Sequence, residues 1–354
     1  MHKLFYQSLK QYVNFGLHLF FRKIKVVGKE NIPNNGAVLF VANHQNALID
    51  ALLLVTQIQR KTHFVARADV FKRPIVKKML ALIYMMPIYR ITDGRQSMSK
   101  NDEILDKCKQ ILLNEEGLMI FPEGNHNLQR RLRPLSKGFT RIVFSALADN
   151  PKLNLKIVPV GLNYTHHQYY RGSVSLYFGK PINAADYVDD DFNKASLTLK
   201  EATANRLKTL ITHVENAADY IEQITRLEAG NPDYLNPLET NLKLKNLGDQ
   251  KEPSGSKSSN TGLFSALIKI LKAPIWFNNL LPLTIWSWIK AKIKDPVMIA
   301  SIKFCVGITV FPIFYLLQAI IVTHFLDGWV GLAYFIFSII SFPILSNPRK
   351  GSDN

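Results

Sequence analysis

Cysteine is scarce in this sequence, with only Cys108 and Cys305 in a chain of 354 residues. They lie far apart and outside any cluster of cysteine and histidine, which excludes a disulfide scaffold and a cysteine-based metal site. Acidic residues are also few, since 44 Lys and Arg outnumber 27 Asp and Glu and leave a net charge of +17. Hydrophobic residues make up 47% of the chain, which excludes a disordered protein.

The positive charge is concentrated in four segments that each contain at most one acidic residue: 1–30, 60–78, 128–141 and 263–294. Such segments attract anionic partners, namely nucleic acid, anionic lipid or an acidic carrier protein. Composition alone does not choose among the three. The sparse interleaving of aromatic and basic residues in 128–141 argues against nucleic acid, as do two long uncharged stretches near the C-terminus.

Charged residues are absent from 304–326 and again from 328–347. As a helix, the first stretch is about 34 Å long, enough to cross a hydrocarbon core of about 30 Å. We therefore predict a transmembrane helical hairpin with spans at 297–326 and 328–347; a pair of buried core helices is the alternative. Lysine and arginine flank both ends, which predicts a multi-pass membrane protein with both ends, and the domain before them, on the cytoplasmic face.

Composition also predicts the remaining organisation. We expect an amphipathic membrane-surface helix at 1–22, with a helix packed on the protein as the alternative, and a tryptophan-rich interfacial helical segment at 263–296. Residues 229–262 are rich in Gly, Pro, Ser and Asn, which predicts a flexible linker. Residues 23–228 alternate predicted strands and helices, which predicts an α/β layered domain with a mixed or parallel sheet flanked by helices. Its strands are predicted at 37–42, 63–66, 118–121, 156–161 and 174–178, and its helices at 47–56, 105–114, 139–148 and 197–226.

The first predicted strand ends in Asn43-His44-Gln45-Asn46, and Asp50 lies in the helix predicted to follow. His44 would then lie at the carboxyl edge of the sheet, where α/β proteins bind ligands. The two lie six positions apart along the chain, so one regular helix would keep them on different faces, whereas a turn capped by Asn46 lets them meet. A carboxylate that holds one imidazole nitrogen leaves the other free to take a proton from an alcohol. A purely structural pair is the alternative.

Another strand ends in Phe121-Pro122-Glu123-Gly124 and brings a carboxylate and a tight turn to the same edge. Glycine permits close approach of a ligand, and the basic run from Arg130 to Lys137 contains guanidinium groups that can bind a phosphate through two N–H groups. An ordinary turn carboxylate and a solvated basic face are the alternatives for these two features.

Residues 25–185 resemble the PlsC-type glycerolipid acyltransferases, the family of lysophosphatidate and glycerol-3-phosphate acyltransferases. The resemblance rests on four blocks in the family's order: His44 to Asp50, Pro87 to Arg90, Phe121 to Gly124, and Val158 to Val160. Five residues separate His44 from Asp50 where the family usually has four. This spacing resembles a subgroup that includes glycerol-3-phosphate and dihydroxyacetone-phosphate acyltransferases. His126 stands where the family usually has an arginine.

The resemblance implies roles for individual residues. His44 is expected to be the general base on the acceptor hydroxyl, and Asp50 is expected to orient it and stabilise its protonated form. Arg90 is expected to bind the acceptor phosphate, while Glu123 and Gly124 shape the acceptor site. Further contacts to the phosphate are expected from three residues: His126, Arg133 and Lys137.

The implied reaction moves an acyl group from a thioester to a hydroxyl of glycerol 3-phosphate or a related phosphorylated glycerol or lysolipid, in phospholipid synthesis. The donor would be acyl-CoA or an acidic acyl-carrier protein, and membrane lipids would be the other partners. No metal or other cofactor is expected. Two alternatives stay open at this point. One is acylation of a different lysolipid, such as an amino-acid lipid; the other is a non-catalytic basic membrane-binding protein.

Overall fold

The computed structural model describes residues 2–71, 74–89, 95–246 and 272–345. Within them the strands are β1 (Lys23–Val27), β2 (Ala37–Ala42), β3 (Thr62–Arg67), β4 (Met85–Ile88), β5 (Gly117–Ile120), β6 (Leu155–Tyr164), β7 (Ser173–Phe178) and β8 (Ile182–Asn183). They form one eight-stranded sheet in the order β1-β7-β6-β2-β5-β3-β4, with β8 paired to β6. The predicted α/β architecture is confirmed.

Strand β2 lies at the centre of the sheet, parallel to β5 on one side and to β6 on the other. In this register Val41 lies opposite Ile120 of β5 and Pro159 of β6. Strand β6 pairs antiparallel with β7 and β8, so the sheet is mixed. Because β2 and β5 end at the same level, the residues that follow them share one edge of the sheet.

Helices cover both faces of the sheet, which is why the apolar run of β2 is buried throughout. One face carries α1 (His2–Phe20) and α2 (Ala47–Gln57), while α3 (Pro74–Leu82) precedes the edge strand β4. The opposite face carries α4 (Arg95–Leu113), α5 (Gly138–Asp149) and α6 (Phe192–Leu210). Alternate β2 side chains serve the two cores: Phe40 packs with α1 and α2, and Leu39 packs with the other helices.

Helix α1 has two different apolar faces. Leu17 and Phe20 are buried in the domain core, and the Phe20 ring lies edge-on to Phe304 at 5.6 Å. Leu4 and Phe15 point away from the protein and are more than half exposed. The helix therefore packs on the protein through one face and leaves an apolar surface uncovered on the other, and its predicted contact with a membrane surface stays a prediction.

The region after α6 differs from the predicted elements. The helix expected over 197–226 is two helices, α6 and α7 (Tyr220–Ala229), because the backbone at Ile211 is extended. Helix α8 (Pro237–Asn246) lies within the segment 229–262 predicted as a linker, and it packs through the fully buried Thr240. Proline at the first position of a helix is a start signal, which explains why this Pro-containing stretch is ordered. Residues 247–271 lie outside the described residues.

The C-terminal part is helical. It contains a helix over 272–278, α9 (Leu280–Lys290), α10 (Met298–Phe325) and α11 (Gly328–Ser341). Of the helices described, α10 alone is long and apolar enough to cross a membrane. Helix α11 folds back along it, with Gly331 close against Thr323, but its 14 residues fall short of the roughly 20 that a span needs. The predicted second span thus matches a shorter helix.

Candidate active site

The turn between β2 and α2 brings His44 and Asp50 together. Ala47, the first residue of α2, adopts a left-handed backbone conformation with φ of 44°, which bends the chain sharply. Nδ1 of His44 then lies 2.8 Å from Oδ2 of Asp50, and Asp50 is completely buried. Because a carboxylate only accepts hydrogen bonds, Nδ1 carries the proton and Nε2 keeps its lone pair. This is the geometry that the six-residue spacing required.

Four donors converge on the Asp50 carboxylate. Besides His44, the backbone N–H groups of Gln45 and Asn46 donate to Oδ2 at 2.8 and 2.7 Å, and the hydroxyl of Tyr164 donates to Oδ1. Tyr164 is fully buried, and burial together with the nearby Asp50 charge raises its pKa well above 10.0. Tyr164 therefore stays a phenol and a donor. Tyr164 was not predicted as a site residue, although it ends β6, the strand next to β2.

The same turn is held from outside by three further side chains. Asn46 was predicted to cap α2, but its side chain makes no capping hydrogen bond. It donates instead to the carbonyl of His167 at 2.8 Å. Asn43 exchanges two hydrogen bonds with the backbone of Leu162. The hydroxyl of Ser301, on α10, accepts from the N–H of Ile49 and donates to the carbonyl of Asn46. The turn is thus fixed by the sheet and by α10.

Glu123 connects the second predicted motif to the first. Its buried carboxylate accepts the backbone N–H of His44 at 3.1 Å and Nε of Arg133 at 2.6 Å. Burial raises the pKa of Glu123, and the Arg133 charge and the His44 N–H oppose that rise only in part. Gly124 follows in a left-handed conformation with φ of 77°, and the space beside it is open. Glu123 therefore fixes the His44 backbone from the neighbouring strand end.

The basic run after this motif is mainly engaged by the protein itself. Arg133 also donates to the side chain and carbonyl of Asn125. Arg130 is buried, donates to the carbonyl of Tyr164 at 2.7 Å and stacks on Tyr234. Lys137 contacts Asn193 of α6 at 3.4 Å, and the structure does not place it in the group around His44. Arg90 lies outside the described residues.

His126 lies beside the pair. Its ring is edge-on to that of His44, with centroids 5.6 Å apart, and the His44 ring stacks on Phe121 at 4.1 Å. Nε2 of His126 lies 2.9 Å from the carboxylate of Asp295, in the segment between α9 and α10. In the described part of the chain, no three His, Cys, Asp or Glu side chains are grouped as metal ligands. The group thus contains two imidazoles and three carboxylates, those of Asp50, Glu123 and Asp295.

Comparison with known proteins matches residues 23–163 to an acyltransferase family model. The chain is 29% identical over 143 residues to a 1-acyl-sn-glycerol-3-phosphate acyltransferase of Chlamydomonas reinhardtii, which covers 40% of this chain and 39% of that protein. It is 21% identical over 321 residues to glycerol-3-phosphate O-acyltransferase 1 of Saccharomyces cerevisiae, which covers 64% of this chain and 41% of that protein. The chain therefore spans about two fifths of the length of these relatives.

Two bacterial proteins are also similar. A 1-acyl-sn-glycerol-3-phosphate acyltransferase of Bacillus subtilis is 23% identical over 201 residues, covering 56% of this chain and 91% of that protein. Among solved structures, the chain is similar to the 1-acyl-sn-glycerophosphate acyltransferase PlsC of Thermotoga maritima, with 18% identity and a TM-score of 0.43 over 58% of this chain and 82% of that one. The resemblance predicted from the motifs is confirmed: residues 23–163 match the acyltransferase family model, and we refer to them as the acyltransferase-family domain.

Proposed function

We propose that this chain is a membrane-bound O-acyltransferase that moves a fatty acyl group from a thioester to a hydroxyl of glycerol 3-phosphate or a related phosphorylated glycerol or lysolipid. The observation that carries the proposal is the hydrogen bond between His44 and the buried carboxylate of Asp50. The pair lies at a sheet edge inside the acyltransferase-family domain. The names of the relatives, which acylate glycerol 3-phosphate or its 1-acyl derivative, support this choice of acceptor.

In the proposed reaction, Nε2 of His44 takes the proton of the acceptor hydroxyl as its oxygen attacks the thioester carbonyl. The new C–O bond forms, the C–S bond breaks, and the imidazolium returns its proton to the departing thiolate. Asp50 keeps the ring in the correct tautomer and stabilises its positive charge while the proton is held. General-base catalysis of this kind contributes about 10²–10⁴ to the rate.

Acceptor binding is assigned to the open side of this edge. The ring of His126 lies edge-on to that of His44, with centroids 5.6 Å apart, and would present a second imidazole to an acceptor phosphate. Arg90, predicted to bind the phosphate, remains part of the proposal. Glu123 and Arg133 act by holding the loop that carries Gly124 and His126, because their charged groups already bond to each other and to that loop. Lys137, given its contact with Asn193, is the weakest of the predicted phosphate contacts.

Membrane attachment is supported by the apolar surfaces that the fold leaves open. Helix α10 runs for 28 residues, and large side chains along it, such as Leu316 and Ile320, are more than half exposed. The outer face of α1 adds Leu4 and Phe15. The basic segments would contribute about 1 kcal/mol per Lys or Arg near an anionic leaflet. We propose that α10 and α11 form the membrane hairpin, with α11 lengthened by the apolar helical turn Phe342–Leu345 that follows it, and that the catalytic domain lies on its cytoplasmic side.

The test is acyl transfer by membranes that contain the full chain. Labelled acyl-CoA and labelled acyl-carrier protein are each offered with glycerol 3-phosphate, dihydroxyacetone phosphate, 1-acylglycerol 3-phosphate and an amino-acid lysolipid. Labelled product with a phosphorylated acceptor supports the proposal, and the donor that works is identified in the same assay. Product with the amino-acid lysolipid alone would establish the second candidate, which the histidine at position 126 favours because an imidazole cannot bind a phosphate through two parallel N–H groups as arginine does.

A further inference from the structure

Asp295 lies outside the acyltransferase-family domain and yet reaches its active site. It belongs to the connection between α9 and α10, and its Oδ2 lies 2.9 Å from Nε2 of His126. His126 in turn lies edge-on to His44, so one ring separates the Asp295 carboxylate from the proposed general base. A carboxylate in this place is unexpected, because the acceptor that the site is proposed to take carries a negative charge itself.

The surroundings of Asp295 stabilise an anion. Burial alone would raise its pKa, but the hydrogen bonds from His126 and from the backbone N–H of Val297 lower the pKa overall. The positive charge of Arg67 acts in the same direction, and Arg67 ends β3 at the same edge of the sheet. The imidazole N–H of His126 and the charge of Arg67, both in the domain, thus stabilise one carboxylate of the helical part.

This carboxylate is displaceable, whereas the segment that carries it is fixed. The side chain of Asp295 is 47% exposed, so a soluble ligand can reach it. Six residues further on, Ser301 is buried and bonded to the His44–Asp50 turn, which holds the start of α10 in place. Rotation of the Asp295 side chain therefore suffices to open the position beside His126, with no movement of α10.

Resting on the proposed function, we infer that Asp295 occupies the anion subsite of the acceptor, and that the phosphate of the acceptor displaces it from His126. A phosphate carries more charge than a carboxylate and has more acceptor oxygens, so it can engage His126 and Arg67 together. A neutral lysolipid has no anionic group that competes with Asp295 for the His126 N–H and the Arg67 charge. The carboxylate thereby selects for phosphorylated acceptors, because an acceptor without an anionic group cannot displace it from His126.

The test compares wild type with Asp295→Asn, using the purified full chain in lipid nanodiscs. Asparagine keeps an oxygen for the Val297 N–H and so preserves the local turn, but it removes the competing charge. We expect the Kd of labelled glycerol 3-phosphate, and the concentration of inorganic phosphate that inhibits its binding, to fall about threefold. This change corresponds to the free energy of one exposed ion pair. Asp327→Asn, at the other end of α10, is the matched control and should bind as wild type does.

A second variant separates displacement from a general change in charge. In a His126→Gln background the imidazole that Asp295 and the phosphate would share is missing, so Asp295→Asn should no longer tighten binding. Equal or weaker binding in Asp295→Asn, or the same gain with His126→Gln, would overturn the inference. The acyl-transfer assay is run in parallel. Turnover without tighter binding by Asp295→Asn supports the proposed function and refutes the anion subsite. Tighter binding without turnover by either protein supports the anion subsite and refutes the proposed function.

Discussion

The hydroxyl of Ser301 donates a hydrogen bond to the carbonyl of Asn46 at 3.0 Å, across 255 residues of sequence. The same oxygen accepts the N–H of Ile49 at 3.2 Å. The apolar helix α10 is thus attached directly to the turn that places His44 on Asp50. The proposed membrane anchor and the proposed catalytic pair are therefore one structural unit.

Replacing Ser301 with alanine tests this attachment. It removes two hydrogen bonds from backbone groups that still bond to each other, the N–H of Ile49 to the carbonyl of Asn46 at 3.1 Å, so the expected loss of stability is about 0.5–1.5 kcal/mol. We expect a lower kcat and an unchanged acceptor KM, because the turn loosens while the phosphate contacts remain. Thr309→Ala removes a hydroxyl that bonds only within α10 and should leave both constants unchanged. A fall in melting temperature with full kcat would show that Ser301 serves stability alone.

Tyr164→Phe tests the second support of the pair. The phenol is the donor to Oδ1 of Asp50, and without it this buried carboxylate oxygen loses its hydrogen bond. We expect a turnover about tenfold lower, since one buried hydrogen bond is worth about 1–1.5 kcal/mol, with little change in acceptor KM. Tyr177→Phe, which removes a hydroxyl bonded to the carbonyl of Leu235, provides the comparison. Equal turnover in the two variants would contradict a role for Tyr164 in positioning Asp50.

The stability of the chain should fall as the pH is lowered below about 6.5. His213 accepts the backbone N–H of Leu132 through Nδ1, so this nitrogen must stay unprotonated in the folded state. Burial lowers the pKa of His213 below 6.5, and the nearby Glu215 offsets this only in part. The unfolded chain therefore binds a proton that the folded chain rejects, and stability is lost between 6.5 and the lower folded pKa.

The measurement is the melting temperature at pH 7.5 and pH 5.5 for wild type and His213→Gln. Glutamine does not titrate and still offers an acceptor to Leu132, so its melting temperature should fall less on acidification. Some dependence should remain, because burial also lowers the pKa of His63. Parallel decreases in the two proteins would show that His213 is not the titrating group.

The orientation of the hairpin can be tested at Asp327, between α10 and α11. A cysteine placed there by Asp327→Cys should react with a membrane-impermeant maleimide added to intact cells, because the proposal puts this turn on the far side of the membrane. Asp190→Cys, on the exposed surface of the catalytic domain, should react only after permeabilisation. If Asp327→Cys also required permeabilisation, the hairpin would not span the bilayer.

Local patterns were sufficient to predict the central sheet and the first half of the site. Strand β2 has the predicted bounds because its apolar run is buried on both faces and ends at a polar turn. Strands β1 and β4 were missed because they lie at the two edges of the sheet. Alternating lysines in β1 and Pro87 in β4 are features of edge strands. They interrupt the run of apolar residues by which a buried strand is predicted from sequence.

The other half of the site depends on contacts that no local pattern contains. His44, Asp50 and Glu123 could be predicted because they follow neighbouring strands. Ser301 and Asp295 lie in a part of the chain whose composition indicates only membrane and interface, and their partners are 252 and 169 residues away. The basic run that contains Arg130 and Arg133 predicted a phosphate site. In the structure, however, their guanidinium groups bond to carbonyl and carboxylate oxygens of the protein.

The central claim is that His44 is the general base of an acyl transfer, and one measurement tests it most directly. Acyl transfer to a phosphorylated acceptor is measured for wild type, His44→Ala and His18→Ala, the last an exposed histidine of α1, all as folded protein in membranes. The account predicts that His44→Ala loses at least the 10²–10⁴ that general-base catalysis contributes, while His18→Ala keeps wild-type turnover. Undiminished transfer by folded His44→Ala would contradict it.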